Sequence, residues 1–201
     1  MKKELNILLV AAAFSTFVYS MLGPIYAIFV EKIQGGILEA SYAVAIFSIT
    51  AGILIFLVSR WEDGIKHKEN LLTLGYMLSS IGFFSYMLIS KPIHLYFVEI
   101  IFGLAVAVSS PLYDGLYSNY LDKKKCISNW GVWESMSYII SSLAALTGGL
   151  LVNYFGFDVL FFIMFMLSLV SVFVSLLLVR EKRLKTELNN KEKNKSKKKH
   201  K

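Results

Sequence analysis

Three carboxylates stand where carboxylates are expensive. Glu99, Asp114 and Glu134 fall inside long apolar stretches, and no Lys or Arg lies well inside any of those stretches to pair with them. At the centre of a hydrocarbon core such a charge costs about 2.5–3.5 kcal/mol by insertion scales. These groups must therefore face a protein interior, where a carboxylate can hold a proton or meet a cation. Asp114 lies five residues from the end of its stretch at 119, and Glu134 seven from the start of the next at 127. On adjacent antiparallel helices that puts them at similar depth. Two readings stay open: proton coupling or substrate binding, against Asp114 bonding a neighbouring Tyr, Trp or amide while Glu134 braces the helix ends. Glu99 is nearer the opposite surface, where snorkelling to water is expected. Glu39 opens its own stretch and is expected to serve a helix N-terminus.

Hydropathy defines the elements that must position these acids. Six apolar stretches run over approximately 6–29, 38–60, 70–89, 94–119, 127–153 and 158–179. Each reaches the roughly 20 residues that cross a hydrocarbon core about 30 Å thick. Hydrophobic residues make up 56% of the 201, and mean hydropathy is +0.58, too apolar for an ordinary soluble domain. Lipid offers the backbone no partners, so only helices or closed barrels serve. Barrel strands would alternate, whereas the runs here are continuous, as from Phe161 to Val179. The first stretch is too long for a signal-peptide core and lacks an obvious cleavage site. The expected fold class is an all-α membrane protein with six transmembrane helices. Residues 1–180 form one domain, and 181–201 read as a basic, disordered cytoplasmic tail too polar to bury a core.

Basic residues set the orientation. Lys2 and Lys3, then Arg60, Lys66 and Lys68, then Lys123, Lys124 and Lys125, and finally the tail, share one side. Only Lys32 and Lys91 fall on the other, so 19 of 21 basic residues mark the cytoplasmic face and both termini lie inside. The net charge of +7 is mostly tail and inner loops, a topology signal and a contact for anionic lipid rather than for nucleic acid.

A repeat is visible at the prolines. Pro24 and Pro111 lie at similar offsets in spans one and four, each opening Pro-Ile-Tyr or Pro-Leu-Tyr, in helices that run in opposite directions. Both are expected to bend their helices as gates, and matched interruptions point to two inverted three-helix repeats. At 100° per residue, Glu99, Gly103, Ser110, Asp114 and Tyr117 share one face of span four. Trp130, Glu134, Ser137, Ser141 and Gly148 do so in span five, and Ser15, Tyr19 and Tyr26 in span one. Helices with one polar stripe each predict a bundle around a polar interior. Small residues in spans two and three, such as Gly75, Ser79 and Gly82, read as close helix packing.

Much chemistry is absent. There is no GK[ST] phosphate loop, CxxC, HExxH or nucleophile elbow. His67, His94 and His200 lie in loops, at a span edge or in the tail, and Cys126 is alone. No enzyme, cofactor or metal site is expected.

Four segments carry a resemblance: GPIYAIFVEKIQGG at 23–36, SRWEDGIKHKENLLTLGY at 59–76, SSPLYDGLYSNYLDKKK at 109–125 and NWGVWESMSYIISSLAALTGGLLVNYFGF at 129–157. Together they resemble the N-terminal six-helix half of a major facilitator superfamily (MFS) transporter. In the loop between spans two and three Asp63 fits the family's aspartate, and Lys66 and Lys68 supply its basic character. Ser59 stands in the first Gly position and Gly64 in the Arg position. The resemblance implies that Asp63, Lys66 and Lys68 belong to a cytoplasmic latch. It also implies that the first and fourth helices line a cavity, with Tyr19, Tyr26, Asp114, Tyr117 and Glu134 as cavity residues, and that transport proceeds by rocking one half against another.

The expected function follows. The chain is a secondary-transporter half in the cytoplasmic membrane of a prokaryote, moving a small solute by alternating access, with proton coupling. Substrate and proton candidates are Asp114, Glu134, Tyr19, Tyr26, Tyr117 and Trp130. The family has twelve spans and this chain six, so the expected partner is a second copy or a separately encoded half. The alternative is a six-span accessory or assembly protein, or a truncated remnant.

Overall fold

The computed structural model describes residues 3–62, 64–122 and 125–199, with side chains through Leu188. Helix α1 (Lys3–Leu22) ends in a tight 3-10 turn at Gly23–Ile25, and α2 (Tyr26–Lys32) resumes the span. Then come α3 (Ile37–Glu62), α4 (Lys68–Tyr86), α5 (Pro92–Tyr120), α6 (Cys126–Phe155) and α7 (Phe157–Lys199). With α1 and α2 taken as one interrupted span, the described residues form six long helical units.

Five of these units are long and apolar enough to cross a membrane; α4 is not, although it occupies the place of the expected third span. Its packing accounts for the difference. It lies between α5 and α7, with Thr73, Ser79 and Ser80 buried. Each of those hydroxyls donates to the carbonyl four residues back, Glu69, Gly75 and Tyr76 respectively. A helix face packed against protein, with its hydroxyls bonded to its own backbone, has less need of hydrophobicity.

Neighbours run in the order α3, α5, α4, α7, α1, α6, with a smaller contact between α6 and α7. α1 and α5 are the most buried of the five long apolar helices, and α3 and α6 are peripheral, with most of their apolar residues exposed. Helices approach closely through small residues. Gly75 lies against the backbone of Ser109, and Gly148 against the Met21 carbonyl, where a β-carbon would have no room. Polar ties cross the same interfaces: Ser20 meets Ser141 at 2.9 Å, and Ser171 donates to the Ala11 carbonyl at 2.8 Å.

Local chemistry places the ends. Glu39 accepts the Gly36 amide at 2.8 Å, closing the first turn of α3 as its position in the sequence implied. Pro92 starts α5, where its missing N–H leaves nothing unpaired. The single residue Gly156 joins α6 to α7 at φ 81°, a region that side chains disfavour. Pro24 interrupts its span outright, whereas Pro111 lies inside a continuous α5.

Composition reads 181–201 as a disordered tail, yet α7 continues to Lys199. No Gly or Pro interrupts 157–199. Ion pairs fasten its first turns beyond the apolar span: Lys3 to Glu181 at 2.5 Å, Lys182 to Glu69 at 2.9 Å, and Lys185 to Glu4. These pairs also put residues 3–4, 69 and 181–185 at one end of the bundle, called the terminal end below.

The core divides along the bundle axis. One cluster, at the end away from the termini, gathers Met21, Phe29, Phe83, Tyr86, Leu95, Phe102, Phe161 and Met164. The other, toward the terminal end, gathers Leu5, Leu8, Leu72, Tyr76, Leu112, Tyr113, Tyr117 and Leu178.

Candidate functional site

Helix α5 carries an acid into each of the two clusters' neighbourhoods. Glu99 is 6% exposed and enters the cluster away from the termini. Its Oε1 accepts the Tyr26 hydroxyl from α2 at 2.7 Å and the Tyr86 hydroxyl from α4 at 3.0 Å. The expectation that Glu99 reaches out to water is therefore corrected: two tyrosine donors and an aromatic wall enclose it. Charge-assisted bonds of this kind are the strong ones, which is why the side chain turns inward.

Around Glu99 lies a cavity of about 280 Å³ bounded by α1, α2, α3, α4, α5 and α7, with the exposed Gly23 at its rim. Tyr19 lines it and bonds Ser79 at 2.9 Å. Its ring meets Phe83 and Phe102 edge-on, at centroid distances of 5.0 and 5.5 Å. Tyr26 follows the 3-10 turn at Gly23–Ile25 and lines the same cavity. Tyr19 and Tyr26 lie around an acid for which the sequence suggested a place at the surface, and Pro24 lies in the turn between them. The available signal was the pair of stripes: Tyr19 and Tyr26 share one, and Glu99 begins another.

The other acids lie differently. Asp114 and Glu134 are both exposed, near enough for Glu134 to act on Asp114 through its charge. The structure records no hydrogen bond or ion pair for either, among the described residues. Behind them stands an aromatic block: Tyr113 against Trp133 at 4.8 Å, and Tyr117 edge-on to Trp130 at 4.9 Å. The Tyr117 hydroxyl donates to the Asn129 carbonyl at 2.6 Å, tying the end of α5 to the start of α6. Tyr117 and Trp130 thus join α5 to α6 rather than lining the Glu99 cavity. The Tyr113 hydroxyl and Ser137 Oγ are buried there without a hydrogen bond among the described residues. Of the latch residues, Lys66 is exposed and Lys68 opens α4, while Asp63 lies outside the described residues.

The Major Facilitator Superfamily sequence profile matches residues 8–201. The chain belongs to that superfamily. A relative bearing the name uncharacterized MFS-type transporter YitZ, from Bacillus subtilis strain 168, is 24% identical over 153 residues, covering 73% of this chain and 88% of that one. Among solved structures, the POT family transporter PepTSo superposes with a TM-score of 0.70 at 15% identity, over 88% of this chain. The match spans 37% of the PepTSo chain, so the likeness is to part of a larger MFS fold. The molecule is accordingly an integral membrane protein with the fold of part of an MFS transporter. Within it, Asp114 and Glu134 form an open acidic face, and Glu99 is buried in the wall of a separate pocket that opens beside Gly23 and Val44.

Proposed function

We propose that this chain is one half of a secondary transporter, moving a small solute by alternating access with proton coupling, as a homodimer or with a separately encoded half. Both termini are cytoplasmic in this reading, and the membrane is the cytoplasmic membrane of a prokaryote, as for the Bacillus relative. The observation that carries it is the open acidic face. Asp114, Glu134 and Ser110 are exposed on α5 and α6, whose other surfaces suit lipid. Polar groups left facing hydrocarbon cost several kcal/mol each, so a second half covering this face supplies the missing wall of a cavity. The matched 153 residues make up 88% of YitZ, so a similarly short relative exists.

Helix pairing supports the inverted-repeat arrangement. α3 lies on α5 as α6 lies on α1, α4 lies on α5 as α7 lies on α1, and α4 meets α7. Exchanging the first three spans with the last three maps these five pairings onto one another, as a two-fold axis in the membrane plane requires, while the smaller α6–α7 contact has no counterpart of similar extent between α3 and α4. The alternation of basic loops supports the orientation.

The test is flux in proteoliposomes with an imposed proton gradient, after crosslinking in native lipid to identify the partner. Wild-type chain, with its partner if one is trapped, drives uptake or efflux, and Asp114→Asn and Glu134→Gln each abolish the gradient dependence while the protein stays folded. Unchanged flux in both variants rejects the coupling role, and a clean monomer in native lipid rejects the completed cavity.

A further inference from the structure

Among the described residues, nothing balances the charge of the Glu99 pocket. Both tyrosines donate to Oε1, and Oε2 receives no hydrogen bond among the described residues. No Lys, Arg or His forms an ion pair with it there either. A buried carboxylate in that condition either takes a proton or takes a cation.

The surroundings select among cations. A divalent metal ion wants several oxygen ligands. Here there is one carboxylate, its two nearest hydroxyls are committed as donors to it, and no group of three potential ligands occurs among the described residues. The remaining walls are apolar and aromatic: Tyr19, Phe47 and Phe102 line the same cavity, with Tyr26 and Tyr86. Ring faces attract a positive charge and also accommodate alkyl groups, which a hydrated inorganic ion cannot exploit. An anion would meet the carboxylate's repulsion, and a neutral apolar solute would leave its charge unanswered. A cavity of about 280 Å³ is near the lower bound for small-molecule sites, which sets the scale of the occupant.

We propose that the Glu99 cavity binds a small monovalent organic cation of the alkylammonium class, its charge against Glu99 Oε2 and its alkyl groups against the aromatic wall. The proposal deepens the transporter reading by naming a solute class and rests on it for that role. Equilibrium binding, however, needs no partner half and no flux.

The experiment is calorimetric titration of the full chain in lipid nanodiscs with choline, with tetramethylammonium, and with 3,3-dimethyl-1-butanol, the uncharged isostere of choline. The expected result is binding of both cations, with the isostere weaker by roughly tenfold or more, because it lacks the charge that the rings and carboxylate recognise. Glu99→Gln should weaken choline by a similar factor, while Tyr86→Phe, which keeps the ring and the carboxylate, should change it only a few-fold. Binding of neither cation overturns the proposal. So does equal binding of choline and its isostere in the unsubstituted protein, a comparison that needs no variant to fold. Binding that survives Glu99→Gln unchanged also overturns it. Ammonium binding without flux would leave this site standing and sink the transporter reading; flux without ammonium binding would do the reverse.

Discussion

Glu99 and Asp114 stand on one helix, about 22 Å apart along its axis at 1.5 Å per residue, and the protein treats them in opposite ways. Glu99 has two hydroxyl donors and an aromatic enclosure; Asp114 is exposed, with Glu134 as its neighbouring charge. The first is a finished environment, built from α2, α4 and α5 of this chain. The second is half an environment, whose remaining wall must come from elsewhere. The contrast separates two questions that a transporter poses: what one half recognises by itself, and what only two halves together can do.

The contrast can be broken most directly by accessibility. In a Cys126→Ser background, which removes the exposed natural thiol, Asp114→Cys should react with a soluble maleimide on the order of a hundredfold faster than Phe102→Cys, since thiol reactivity follows exposure. Comparable rates in detergent would mean that the two ends are not differently enclosed.

Stability should divide the acids next. Glu99→Ala leaves two tyrosine hydroxyls without their acceptor and should lower the unfolding free energy by about 2–4 kcal/mol, at roughly 1–3 per unsatisfied group. Asp114→Ala, which breaks no hydrogen bond among the described residues, should lower stability by no more than about 0.5 kcal/mol. Reversible unfolding in mixed micelles measures both, and equal losses would erase the distinction.

A smaller effect sharpens the enclosed side. Tyr86→Phe removes one of the two bonds to Glu99 and keeps the ring stacked on Phe161 at 5.1 Å, so about 1 kcal/mol should be lost. The smallest effect belongs to the open side. Glu134→Gln removes a like charge near Asp114 and should leave stability unchanged or raise it by about 0.5 kcal/mol at low salt, with the gain vanishing in high salt. A clear loss would reveal a favourable bond at Glu134 that the exposed geometry does not contain.

How much of this was legible depends on the kind of information each feature needs. The spans were legible because hydropathy sums over residues near in sequence; α3, α5, α6 and the apolar part of α7 follow the expected stretches closely. Span three was expected from the same sum, yet α4 falls short of it because much of its surface packs against α5 and α7 and carries buried Thr and Ser, leaving an apolar stripe of Leu74, Met77, Ile81 and Phe84 exposed. The role of Glu39 was legible because its partner, Gly36, is three residues away. Glu99 was misread because depth along a helix was the only guide, and its partners are 73 and 13 residues distant. The ion pairs at the start of the tail were not legible, because composition cannot register that Glu4 and Glu69 lie beside Lys185 and Lys182.

The sequence alone determined that this chain lies in a bilayer as long helices, that it carries acids where lipid would reject them, and that it resembles a transporter half. Those properties follow from the cost of exposing polar groups to hydrocarbon, which each segment meets on its own. Only the tertiary structure decided which acid is enclosed and which is left open. That choice depends on the rotation of each helix about its axis and the close approaches at Gly75 and Gly148, set by packing between segments far apart in the chain.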